Sequence, residues 1–159
     1  DKLNKNIIND FYENVDDSNI DANTMIISHV FEHFYKPMEI LDKIYNNKKI
    51  QNFLLVFPDL EYYINNQNLH VLNTEHTYYI DSQFLIKLLK NKGFNLLESY
   101  YHKNHSVIFY FQREEVNNID NINFKNSNYS LANFYGNIFT KIEYLNNIIQ
   151  QNLDKKIYI

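Results

Sequence analysis

Hydrophobic positions fall into two patterns along this chain: short continuous blocks, and stretches in which they recur every three or four residues. The first pattern predicts strands and the second amphipathic helices. Residues 25–27, inside 24–28, form a short β-branched block that predicts a buried strand. Polar chemistry begins at Ser28. Pro37 suits the first turn of a helix, where its missing N–H is not needed, and Met38, Ile40, Leu41, Ile44 and Tyr45 then recur at helical spacing. The run 52–57 is continuously apolar and stopped by Pro58 and Asp59, as expected for a central strand covered on both faces. Asp81 is placed to cap a helix over 82–92, with Phe84, Leu85, Leu88 and Leu89 on one face and Gly93 to end it. Runs 94–101 and 106–112 predict an antiparallel hairpin at the sheet edge. A brief block at 6–8, followed by Asp10 and Phe11, predicts one more strand.

Strand, helix and strand in succession imply a parallel crossover, so the expected fold class is α/β. Parallel strands near 6–8, 24–28 and 52–57 continue into a C-terminal antiparallel hairpin at 94–112. Between 60 and 80 the period is lost while aromatics, His70, Glu75 and His76 remain, which predicts a lid or substrate loop. The Asn-rich, acidic segment 114–128 reads as a linker. Beyond it Leu131, Phe134, Ile138, Ile142, Leu145 and Ile149 repeat at helical steps, giving one amphipathic helix of roughly 25 residues and about 37 Å. Residues 155–159, KKIYI, look like the opening of a further strand. The expected organisation is a unit at 1–113, a linker at 114–128, and at 129–159 the helix and first strand of a truncated following domain.

At 159 residues and 45% hydrophobic content the chain is long enough for one ordered core. The net charge of −4, with scattered lysines, argues against a nucleic-acid partner. No apolar run approaches a membrane span and the first residues lack a signal-peptide core, so a cytoplasmic protein is expected. The absence of cysteine excludes disulfides and thiolate metal sites. Only Gly93 and Gly136 are present, so no glycine phosphate loop exists.

The segment from Thr24 to Pro37, TMIISHVFEHFYKP, carries the densest chemistry. Ligands of open α/β sheets bind where the chain leaves the carboxyl end of a parallel strand, which places Ser28 to His33 at such a point. His29, Glu32 and His33 spell HxxEH, the zinc signature of inverted metalloproteases. That chemistry needs both histidines on one helix face, but His29 directly follows a strand-like run and Pro37 starts a new element. A zinc hydrolase is therefore an alternative, and no metal ligands are assigned. His76 lies in the long loop beside Glu75, where an imidazole is suited to general-base chemistry near neutral pH.

Several phrases, taken in order, resemble the second half of a class I S-adenosylmethionine-dependent methyltransferase. ISHVFEHFYKPMEIL resembles its strand-to-helix segment, FLLVFPDLEYY the next strand and loop, TEHTYYIDSQFLIKLLKNKGF its Glu-His loop and helix, and VIFYFQR its last strand. The resemblance covers about residues 7–112 and is nearest to the sugar C-methyltransferases. It implies an incomplete Rossmann-like sheet, S-adenosylmethionine as cofactor, and a small-molecule acceptor such as a nucleotide-linked sugar, methylated on carbon or oxygen. It further implies His76, Glu75 and His33 as the catalytic set, with Asp10, Phe11, Ser28 and His29 on the cofactor side. The family's glycine-rich turn and ribose-binding acid have no counterpart, so tight cofactor binding by this chain alone is not expected. A non-catalytic remnant or assembly module, possibly a homo-oligomer, is the other alternative.

Overall fold

β1 (Thr24–Ser28) and β2 (Asn52–Pro58) pair in parallel with Met25 opposite Phe53 and Ile27 opposite Leu55. In this computed structural model, which describes residues 8–102, 105–114 and 128–152, they form one half of a four-stranded sheet. β3 (Phe94–His102) and β4 (Ser106–Arg113) form the predicted hairpin, and β4 folds back to lie antiparallel against β2, giving the order β1-β2-β4-β3. The fold is therefore α/β with a mixed sheet and a C-terminal helix. Of the strand expected at 6–8, only Ile8 is described, and it is exposed and in no strand.

Period-two alternation places Ile27, Phe53, Leu55, Phe57, Val107, Phe109 and Phe111 on one face, where they are buried. α1 (Pro37–Asn46) covers that face with Ile40, Leu41 and Ile44, and α3 (Ser82–Asn91) with Leu85 and Leu89. Pro37 opens α1 as expected, and the Asp81 carboxylate accepts from the Phe84 N–H at 2.8 Å to cap α3. Gly93 follows with φ of 79°, a left-handed position that suits glycine. The opposite face is open: Ile26 is 62% and Tyr100 61% exposed, and Leu54, Val56 and Ile108 are half-buried. β2 is thus buried on one face and not on both. A continuous apolar run shows that a strand is central but not that both faces carry helices.

Arg113 ends β4 and bridges the helix layer to the sheet. Its guanidinium donates to the carbonyls of Ile50 (2.7 Å), Tyr45 (3.0 Å), Asn47 (3.0 Å) and Ile44 (3.3 Å), closing the C-terminal end of α1. Its carbon centre lies 4.8 Å from the Phe94 ring. An ion pair between Lys92 and Asp42 joins the end of α3 to α1.

The aperiodic region 60–80 contains structure that periodicity did not reveal. α2 (Leu60–Asn65) starts at Asp59, whose carboxylate accepts from the Tyr62 N–H at 3.1 Å, and a 3₁₀ turn follows at Leu69–Leu72. α4 (Asn128–Gln151) is the predicted long helix; Phe134 and Ile138 pack on Tyr63 of α2, while Phe139, Tyr144 and Leu145 are exposed. The linker between Glu114 and α4 and the strand expected at 155–159 lie outside the described residues. No helix among the described residues is long and apolar enough to cross a membrane.

Candidate functional site: a histidine-rich pocket at one end of the sheet

β1 and β2 end side by side because they are parallel and in register, so the segments leaving them converge. The turn out of β1 is sharp. His29 has φ of 50°, a left-handed position that costs a non-glycine residue energy, and its N–H is held by the Val56 carbonyl at 2.9 Å. Phe31–His33 then forms a single 3₁₀ turn, with Phe31 anchored in the core at 1% exposure. His29 and His33 are therefore not on one α-helical face, and the inverted-metalloprotease geometry is not formed.

The turn buries Glu32, a charged residue at 4% exposure. Its backbone carbonyl accepts from the N–H groups of Thr77 (2.8 Å) and Tyr78 (3.2 Å), which clamps the 73–80 loop onto the end of β1. Its Oε1 lies 3.5 Å from His29 Nδ1, and its Oε2 is buried without a hydrogen-bond partner. The same clamp draws His76 against His33, ring centroids 5.1 Å apart and edge-on. His33 Nδ1 lies 2.9 Å from the Glu75 carbonyl, and since a carbonyl only accepts, the proton sits on Nδ1 and Nε2 keeps its lone pair. Asn73 Oδ1 accepts from the Glu75 N–H, so its amide nitrogen is the group that faces His76 Nε2 at 3.3 Å.

Burial pushes the His76 imidazole below its ordinary value, and the nearby Glu32 pulls it partly back. Burial and the carboxylates of Asp59 and Glu32 raise the Tyr63 phenol, which stays a hydroxyl donor. Glu32, Tyr63 and His76 line a small open pocket with Phe31 and Phe57, and His70, Tyr78 and Tyr79 complete its lining. Imidazole and phenol groups beside an apolar floor suit a small hydroxylated or carbonyl ligand and a proton transfer to imidazole. Glu32, His33 and His76 also offer ligand atoms within 4.8 Å of one another, close enough to hold a metal ion.

The structure thus brings together His33 and His76. Glu75 contributes differently: its carbonyl holds His33 and its own N–H holds Asn73, while the residue is exposed. His29 does not satisfy a buried backbone group with its ring, which instead meets Ser106 Oγ at 3.1 Å and Glu32. Ser28 is exposed at the end of β1. Asp10 caps its own turn through the Phe11 N–H and the Asn14 amide, and Phe11 is 77% exposed; neither touches the pocket among the described contacts. His70 lines the pocket, and His105 lies nearby, 5.5 Å from the His29 ring and 6.2 Å from the Tyr63 ring. Glu32 as a buried acid and Ser106 were not legible as site residues. The one signal for Glu32 was the HxxEH spelling.

No family model and no solved structure matches the chain. Among characterised proteins it is 30% identical over 122 residues to the non-toxic nonhemagglutinin type E of Clostridium botulinum. That similarity covers 77% of this chain but 10% of the other, so the chain spans about a tenth of the length of its relative.

Proposed function

We propose that the chain is the acceptor-binding half of an S-adenosylmethionine-dependent methyltransferase acting in the cytoplasm on a carbon or oxygen of a nucleotide-linked sugar or similar small molecule. The observation that carries this is the meeting of His33 with His76, two histidines from separate segments, at the edge of a pocket that His76 lines near the carboxyl ends of parallel strands. The α/β sheet, running from a parallel pair into an antiparallel hairpin, also agrees with the sequence resemblance.

Bound S-adenosylmethionine would supply an electrophilic methyl group. The residues that the resemblance assigns to its side, Ser28, His29 and Phe11, are each exposed, so the pocket residues of this chain are assigned to the acceptor. His76 takes the proton from the acceptor hydroxyl, or from the carbon α to its carbonyl. His33, fixed by the Glu75 carbonyl, orients the ligand beside it. The Tyr63 hydroxyl donates to an acceptor oxygen.

In a polypeptide that supplies the cofactor-binding half, transfer of labelled methyl to a panel of nucleotide-linked keto-sugars tests the assignment. His76→Gln is expected to lower turnover by about 10²- to 10⁴-fold, the usual contribution of a general base. Glu75→Gln should change it little, because the backbone of that residue does the holding. Near-normal turnover in His76→Gln removes the base; no transfer to any member of the panel removes the substrate class.

A second use, as an assembly module, is favoured by the exposed apolar residues Phe139, Tyr144 and Leu145 on α4. Sedimentation that shows only monomer at high concentration would exclude self-assembly.

A further inference from the structure

We propose that Glu32, His33 and His76 form a site for one divalent transition-metal ion, zinc foremost, with a coordination position open to the pocket. Their ligand atoms all lie within 4.8 Å of one another. Zinc–ligand bonds of about 2.0–2.2 Å at tetrahedral angles place ligand atoms about 3.3 Å apart, so the set has to close by at most about 1.5 Å. Rotation of the His76 side chain, with its backbone held in the loop before α3, supplies that movement, and coordination through Nε2 replaces its long 3.3 Å contact with Asn73.

Two further observations point to a cation. Glu32 is 4% exposed and its Oε2 has no partner. A buried carboxylate oxygen left unpaired is costly, and a bound cation relieves that cost where no donor is supplied. His33 is arranged as a ligand: Nδ1–H donates to the Glu75 carbonyl at 2.9 Å, leaving the Nε2 lone pair fixed in direction. A backbone carbonyl on the far nitrogen is the usual partner of a metal-binding histidine. On the other side His29, itself hydrogen-bonded to Ser106, lies against Glu32 Oε1 and holds the carboxylate.

Two imidazoles and one carboxylate, in a chain with no cysteine, suit zinc, cobalt or nickel better than magnesium or calcium. Three protein ligands leave the fourth position for water or a ligand oxygen. The set differs from the HxxEH spelling, since His76 replaces His29. It is independent of methyl transfer, because the ligand geometry holds whichever reaction the pocket serves. The ion and the base are alternative uses of one group: while His76 coordinates, it takes no proton.

Protein freed of metal with EDTA, its fold checked by circular dichroism, is titrated with zinc chloride by calorimetry and with cobalt chloride by visible absorption. One ion per chain is expected, with the visible bands of a low-coordinate cobalt centre. Glu32→Gln, His33→Ala and His76→Ala should each weaken binding about tenfold or more. Glu32→Gln preserves shape and backbone contacts, so it remains informative if a histidine variant misfolds. His29→Ala should keep one-to-one binding, and His102→Ala should match the wild type. The proposal is overturned if the wild type shows no saturable one-to-one binding, or if Glu32→Gln binds as the wild type does. Loss of binding in His29→Ala but not in His76→Ala also overturns it, by restoring the HxxEH set.

Discussion

Replacing Arg113 with alanine should destabilise the fold by about 3 kcal/mol. The guanidinium makes four hydrogen bonds to carbonyls at and just beyond the end of α1, at 2.7–3.3 Å. A charged hydrogen bond contributes about 1.5–3 kcal/mol when one is removed alone. Four that share a single half-buried cation contribute much less than four times that, because water reaches part of the set in the variant. A cation at a helix C-terminus adds about 0.3–1 kcal/mol, and the face of Phe94, 4.8 Å from the guanidinium carbon, adds about 0.5–1 kcal/mol. Burial lowers the Arg113 ionisation, but the group remains cationic throughout the accessible pH range. For a chain of this size the loss corresponds to a fall in Tm of roughly 6–12 °C. Urea unfolding followed by circular dichroism gives the free energy directly. Arg113→Lys keeps the charge but not the planar fork and should recover about half of the loss. If Arg113→Ala lies within about 0.5 kcal/mol of the wild type, or lysine restores stability completely, the clamp is not what joins α1 to the sheet.

Phe109→Ala should cost about 3–5 kcal/mol, because the ring is fully buried and packs on both Phe57 and Phe111 at 5.5 and 5.8 Å between centroids. A loss below about 1 kcal/mol in the same urea assay would contradict that packing. Phe134→Ala removes the main contact of α4 with Tyr63. Amide exchange in α4 should then quicken at least about tenfold while β2 and β4 keep their protection. Equal quickening in the sheet would mean that α4 is part of the central cooperative unit.

Most of the scaffold was legible because its signals are local. The β-rich run 106–112, the Pro37 start of α1 and the Asp81 cap of α3 each act within a few residues, and each appears where the pattern put it. What failed was non-local or short. α2 is only six residues long and mixes aromatics with acids, so no period could emerge. The order in which β4 inserts beside β2 depends on long-range pairing and left no trace in either strand. His76 could be named from residue type and loop position, and His33 from the family resemblance. Their union with Glu32 depends on two backbone hydrogen bonds from Thr77 and Tyr78 across more than forty residues, for which sequence offers no local sign.

Chemistry and closure sit at opposite ends of the sheet. Pro58 pairs with Ser106 beside the pocket, while Asn52 pairs with Gln112 next to the Arg113 clamp. The seven residues of β2 separate those ends by about 20 Å. Substitutions that far apart, sharing no partner, add in free energy. A chain stiffened around Arg113 would therefore keep the strained turn at His29 and the unpaired Glu32 as they are. The pocket can be rebuilt residue by residue on such a background, with each variant's cost in stability read separately from its effect on binding.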